Sequence, residues 1–342
     1  MRATARRWLA SIVAALLLTA VPAGALEPVA DFGANPGELD LFVHVPAAHA
    51  PGDALVVALH GCTQSAADFD DETGLVALAE AVPFVLLLPQ QRAANNSERC
   101  FNFFRRADNR PDGGESASIR RMVAHAVARF EVDPERIYVL GLSAGGSMTA
   151  VLLANHPDLF RAGAIVAGTP FDCNRPGFWT WGAWWSTRLV FGDAAAASFA
   201  CGILGPRPID RRAEDWGDAV RAVAGGEPAR WPRVSLWQGG ADDVVHPANQ
   251  RELLEQWTNV HGLDLAPERR DARGGVVHEV HGGGGGDGGT AVVETWRIAD
   301  FPHALAVDPS AEPEPCGVAA PYLEPTDLCT VRRIAAFWGL TP

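Results

Sequence analysis

The sequence predicts an α/β protein, with a mostly parallel sheet covered by helices on both faces. Three observations point there. Short apolar runs rich in β-branched residues alternate with segments of helical spacing along most of the chain. Those runs are apolar at consecutive positions, as strands buried on both faces require. One of them, "RIYVLGL" (136–142), passes through a single serine between glycines straight into a helical segment.

In chain order, "LDLFVHVP" (39–46) and "ALVVALHG" (54–61) read as strands. "TGLVALAEAV" (73–82) has helical spacing, and "PFVLLLPQ" (83–90) is a buried strand. "ASIRRMVAHAVARF" (117–130) is an amphipathic helix whose Ile119, Met122, Val123, Ala126, Val127 and Phe130 share one face. After "RIYVLGL" come the helix "GGSMTAVLLANHP" and the strand "AGAIVAG" (162–168). "RVSLWQGG" (233–240) is a strand, "NQRELLEQWTNV" (249–260) a helix, and "CTVRRIAAFWGL" (329–340) a last helix that docks through Ile334 and Phe337. Strands separated by helices imply crossover connections and a parallel sheet.

Two stretches break the rhythm. Residues 171–230 are rich in Trp, Ala and Gly without a clean period, and read as an insertion or cap after the central strands. Residues 268–298 read as a hairpin of "GVVHEVH" and "AVVETWRI" with the Gly-rich tip "GGGGGDGG". The tip falls short of a calcium-binding nonapeptide, and a single copy could not stack into a β-helix.

The formal net charge is −13, and the basic side chains are all Arg. That acidity argues against nucleic acid and anionic membranes as partners. The N-terminus reads as a signal peptide over 1–25: Arg2, Arg6 and Arg7 precede the apolar "WLASIVAALLLTAV", and Ala23-Gly24-Ala25 is a small-x-small cleavage site. The apolar stretch is shorter than the roughly 20 residues of a spanning helix. Export with cleavage after Ala25 leaves 26–342 as a single catalytic domain, extracellular or periplasmic and without a membrane partner.

Six cysteines in an exported chain predict disulfides. Cys173 with Cys201 and Cys316 with Cys329 close short loops. Cys62 and Cys100 remain as the other candidates. No C-x-x-C occurs, so neither a zinc site nor a dithiol redox site is expected.

Gly141-Leu142-Ser143-Ala144-Gly145 matches G-x-S-x-G, a strained strand-to-helix turn that raises the serine hydroxyl above the sheet. Bulky residues two positions either side would collide in so tight a turn. The helix N-terminus behind Ser143 favours negative charge. A nucleophilic serine needs a base and an orienting acid, here in the order Ser, acid, His. Asp242 in "GGADDVVHP" follows a strand and is the chosen acid, with Asp243 second. His246 lies in the acid's own loop, so the base must come later. His278 and His281 in "HEVH" do not match H-E-x-x-H, and residues at i and i+3 on a strand face opposite ways, so no metal site is expected. His303 in "DFPHALAVD" sits in a loop before the last helix and is the chosen base. For the oxyanion hole, the backbone N–H groups of Ala144 and of Cys62, with Thr63 second, are the candidates.

Together "LHGCTQ", "RCFNFF", "ASIRRMV", "DPERIYVLGLSAGGSM", "IVAGTPF" and "GGADDVVHPANQ" resemble the polyhydroxybutyrate depolymerase family of esterases. The resemblance runs from about residue 36 to the C-terminal segment and is strongest over 55–173. It implies an α/β-hydrolase fold, related to carbohydrate esterases that cut feruloyl and acetyl groups from xylan. It also implies Ser143, Asp242 and His303 as triad, Cys62 and Ala144 as oxyanion amides, and no cofactor. Pro302 stands before the base where that family has Gly, which bears on the local loop conformation.

The expected activity is therefore secreted serine carboxylic-ester hydrolysis on polyhydroxyalkanoate-type or feruloyl and acetyl esters. Trp179, Trp181, Trp184 and Trp185 could form an apolar platform for such a substrate, or the core of the insertion. A peptidase or acyltransferase on the same triad and a non-catalytic exported binding protein remain the rival readings.

Overall fold

The computed structural model describes residues 26–175, 181–205, 207–283, 290–312 and 314–341. Residues 1–25, read from the sequence as a signal peptide, Trp179, and the glycine run from 284 to 289 lie outside them.

The first half of the chain forms β1 (Glu27–Pro28), β2 (Asp40–His44), β3 (Ala54–Leu59), α1 (Ala66–Thr73), α2 (Leu75–Ala81), β4 (Phe84–Gln90), α3 (Gly114–Phe130), β5 (Ile137–Leu142), α4 (Ala144–Asn155) and β6 (Ala162–Val166). The second half forms α5 (Trp181–Cys201), α6 (Ala213–Ala224), β7 (Arg233–Gly239), α7 (Asn249–His261), β8 (Arg269–Arg273), β9 (Val276–His281), β10 (Val293–Ile298), β11 (Leu305–Val307), β12 (Leu323–Pro325) and α8 (Thr330–Trp338). Among the described residues ten strands make one sheet, in the order β1-β2-β4-β3-β5-β6-β7-β10-β9-β8. The centre, from β4 to β10, is parallel, and β1, β2, β9 and β8 close its edges antiparallel.

Alternation along the strands explains the consecutive apolar runs. Leu55, Val57 and Leu59 of β3 enter one core with Ile119 and Met122 of α3, Met148 and Val151 of α4, Trp216 of α6 and Trp257 of α7. Ala54, Val56 and Ala58 enter the other, with Phe69 of α1, Leu75 of α2, and Ile334 and Phe337 of α8. Each face buries its own side-chain set, so the strand cannot carry a polar one. The predicted face of α3 packs as expected, with Val127 and Phe130 at its partly buried margin.

One reading needs correction, and two stretches carry helices that the sequence pattern did not mark. The 171–230 stretch holds α5, broken at Gly192 (φ 88°), and α6. α6 packs Trp216 and Val220 inward and its Trp216 Nε1 donates to Glu252 Oε2 at 2.9 Å. The 268–298 stretch holds three strands rather than a two-stranded hairpin, because β8 pairs with β9. Its sequence, "RRDAR", is exposed throughout, so no apolar alternation marks it. Finally, α1 is a helix announced by a capping box, with Ser65 Oγ and the Asp68 carboxylate each accepting from the other's amide.

Disulfides join Cys62–Cys100, Cys173–Cys201 and Cys316–Cys329, so each cysteine bonds its neighbour in sequence. Among the described residues no helix is long and apolar enough to cross a membrane.

Candidate functional site

Ser143 caps α4 in a left-handed conformation, φ 59° and ψ −118°, a strained choice for a residue with a Cβ. The turn is held by Ser143 N donating to Val166 O at 2.9 Å. Its glycines are required by contact. A Cβ on Gly141 would stand 2.3 Å from the Gly145 carbonyl, and one on Gly145 only 2.1 Å from Leu59 O. β5, β3 and α4 can converge beneath the serine only where no side chain intervenes.

Asp242 follows β7, its carboxylate fully shielded from solvent. Oδ1 accepts from the amides of Val244 (2.9 Å) and Val245 (2.8 Å). Oδ2 accepts from Gln238 Nε2 at 2.8 Å and lies 2.8 Å from His303 Nδ1. Asp243 is exposed. His303 is 7% exposed and is carried on the loop between β10 and β11. Ala241 N donates to Phe301 O at 3.0 Å, and a Cβ on Gly239 would stand 2.3 Å from that same oxygen. The loop bearing His303 therefore rests directly on the end of β7, and Pro302, which offers no N–H, is exposed and does not disturb this contact.

The described structure brings Ser143 and His303 to one cavity of about 610 Å³, together with Cys62, Ala144, Phe103, Phe104, Val245 and Tyr322. Among the described residues no hydrogen bond engages Ser143 Oγ or His303 Nε2. Such contacts commonly tighten only when substrate closes the site. The amides of Cys62 and Ala144 are also without a partner among the described residues. The Thr63 amide is taken: it donates to Glu98 O at 2.6 Å.

The loop bearing Cys62 is pinned from several sides. Gly61 N donates to Gln64 Oε1 at 2.8 Å, and the Cys62–Cys100 bridge ties it to the loop after β4. His60 is buried, its Nδ1 2.7 Å from Gly61 O and its Nε2 accepting from Gln91 N at 3.2 Å. Burial lowers its pKa to about 4, so the ring is neutral. Behind it, buried Glu115 accepts from Gln91 Nε2 and from Asn102 N and Nδ2, both of the latter at 2.7 Å. Burial first, and then the charge of Asp108, push Glu115 up to about 8.

The other histidines after β7 are elsewhere. His246 Nδ1 accepts from Ala248 N, and His261 Nε2 lies 3.0 Å from Pro232 O. His278 stacks on Trp296 and meets Glu294 Oε2 at 2.9 Å, whereas His281 is buried. Trp181, Trp184 and Trp185 belong to the first turns of α5, but their side chains lie outside the described residues. One group of carboxylates, Asp210, Glu252 and Glu255, is close enough to share a cation among the described residues, and Arg251 pairs with its Glu255 at 2.7 Å. Gln238 and Tyr322 went unread in the sequence. A lone Gln inside the apolar β7 run was the available signal for the first, and nothing local marked the second.

Residues 40–176 match the family described as Esterase PHB depolymerase. The chain is 38% identical over 316 residues to a poly(3-hydroxyalkanoate) depolymerase C of Paucimonas lemoignei, covering 92% of this chain and 70% of that one. It belongs to the polyhydroxybutyrate depolymerase family of esterases. A feruloyl esterase B of Neurospora crassa is 32% identical over 70% of this chain and 76% of its own. An acetylxylan esterase of Coprinopsis cinerea is 31% identical over 83% of this chain and 70% of its own. The solved acetyl xylan esterase of Aspergillus awamori superposes with a TM-score of 0.73 at 22% identity, over 93% of this chain and 100% of that one, which establishes the α/β-hydrolase fold. The chain is thus a carboxylic-ester hydrolase.

Proposed function

We propose that the protein is a secreted serine esterase whose triad is Ser143, His303 and Asp242, with the Cys62 and Ala144 amides as oxyanion hole. The observation that carries this reading is the buried His303–Asp242 contact of 2.8 Å beside the cavity onto which Ser143 is strained. In this mechanism His303 Nε2 takes the Ser143 proton as Oγ attacks the ester carbonyl, and the two amides stabilise the oxyanion. His303 then hands that proton to the departing alcohol oxygen. A water deprotonated by His303 then attacks the acyl-serine, and His303 returns that proton to Ser143 Oγ as the acid leaves. Asp242 remains ionised throughout and holds Nδ1–H, leaving Nε2 free to accept.

We assign 1–25 as a cleaved signal peptide and 26–342 as one catalytic domain. The three disulfides support export, since such bonds persist in oxidising compartments. The substrates we propose are the esters named by the relatives: hydroxyalkanoate oligomers, or feruloyl and acetyl esters. The test is a kinetic panel on the purified protein with p-nitrophenyl acetate and butyrate, methyl ferulate, acetylated xylan and a hydroxybutyrate trimer, with Ser143→Ala as blank. Turnover that vanishes in the blank is the expected result, and the ranking selects the substrate class. Activity retained in the blank overturns the serine mechanism.

A further inference from the structure

Tyr322 is built into the site by a part of the chain remote from the elbow. It lies between the bridged Cys316 and Cys329, immediately before β12, which pairs with β11. Its carbonyl accepts from Leu305 N at 2.9 Å, two residues beyond His303. Its own φ is 67°, unfavourable for a bulky residue and seen where surrounding structure enforces it. Nonetheless the residue is 42% exposed, so core packing does not explain the strain. The ring stands edge-on to His303, centroids 6.1 Å apart and planes at 79°, and lines the cavity with Ser143.

We propose that Tyr322 is a specificity-determining residue that contacts the alcohol portion of the ester. The inference rests on the serine-triad reading above. Two faces of His303 are distinguishable. Nδ1 is turned to the shielded Asp242 carboxylate, so Nε2 is the nitrogen left for the cavity. In acylation Nε2 delivers its proton to the departing alcohol oxygen, which must therefore sit beside the imidazole. A half-exposed aromatic against that imidazole, on the cavity side, meets the group attached to that oxygen. The acyl group instead remains on Ser143 Oγ after the alcohol has gone. Tyr322 thus offers an apolar ring face to the alcohol, and sorts substrates before the acyl-enzyme forms.

The test compares two substrate series in wild type, Tyr322→Ala, Tyr322→Asn and Tyr322→Phe. One series holds butyrate constant and varies the alcohol through methyl, butyl, benzyl and naphthyl. The other holds p-nitrophenol constant and varies the acyl group from acetyl to octanoyl. Removing the ring is expected to compress the spread of kcat/KM across the alcohols about tenfold, while the acyl ranking shifts less than twofold. For butyrates limited by deacylation, kcat should be unchanged and KM raised. Tyr322→Phe is expected to keep the wild-type alcohol preference. Asn accepts the left-handed conformation, so it carries the test if Ala impairs folding. Parallel changes in both series, or a change in the acyl series alone, would overturn the proposal. Failure of the underlying mechanism looks different: Ser143→Ala would keep its activity, and a fluorophosphonate would not label the wild type.

Discussion

Replacing Asp242 by Asn tests the proposed mechanism at the point where the geometry is most constraining. The carboxylate accepts four hydrogen-bonding contacts, two on each oxygen. An amide keeps one oxygen and gains one NH2. If the NH2 occupied the Oδ1 position it would face the Val244 and Val245 amides, fixed N–H donors that cannot turn away. The NH2 therefore takes the Oδ2 position. There it faces His303 Nδ1 and favours the tautomer whose Nδ1 accepts. In that tautomer the proton sits on Nε2, and the imidazole cannot receive the Ser143 proton. The same change in a serine protease triad lowers kcat by about 10⁴, or ~5.4 kcal/mol of barrier. Initial rates on p-nitrophenyl butyrate, with KM resolved separately, give the comparison. The drop should fall on kcat, with the fold intact by thermal melting. Asp243→Asn, at an exposed position, should stay within threefold. A tenfold or smaller loss in Asp242→Asn, or the large loss in Asp243→Asn instead, would refute the assignment.

Three further outcomes are expected. Gly145→Ala drives a Cβ to 2.1 Å from Leu59 O and 2.6 Å from His60 O, so β3 and α4 must part; displacements near 1 Å at a reacting centre cost about 10², and kcat should fall at least that far, whereas Gly225→Ala, with nothing within 4 Å, should cost stability alone. Opening the Cys62–Cys100 loop, 38 residues apart, by a double Ser substitution removes a constraint worth roughly 4 kcal/mol in the chain-entropy account; calorimetry should show a Tm lower by on the order of 10 °C, with kcat reduced because the Cys62 amide loses its anchor. Burial lowers His60 and His156 from 6.5 to about 4, so the unfolded chain takes up protons that the folded one refuses, and their stabilisation is lost as pH falls from 6.5 through 4; Glu115, raised from 4.5 to about 8 chiefly by burial, acts in the opposite sense, its contribution lost as pH rises through that range. A Tm profile should accordingly decline on the acid side, less steeply in His156→Gln, and Glu115→Gln should flatten the alkaline side.

What could be read from the sequence was what the chain writes locally. The elbow is legible because five consecutive residues must satisfy one turn, and β3 to β6 because burial on both faces leaves no room for polar positions. The choice between Asp242 and Asp243 was open for a physical reason. Both follow β7 equally well, and what separates them is the pair of amides at 244 and 245 that turns one carboxylate inward. β8 was invisible because an edge strand needs only backbone pairing, and "RRDAR" supplies nothing else. α6 shows a different loss: its apolar face is narrow, and Trp216 is fixed by Glu252 and Gln256 of α7, partners 36 and 40 residues away. Tyr322 is the extreme case. Its strained turn is set by pairing with Leu305 and bracketed by a disulfide, and its place beside His303 exists only once β10, β11 and β12 have met. The proposed reacting groups announce themselves in short motifs because their chemistry requires particular side chains. The residues that select among substrates need only be nearby in space, and any surface that the fold brings to the cavity can supply them.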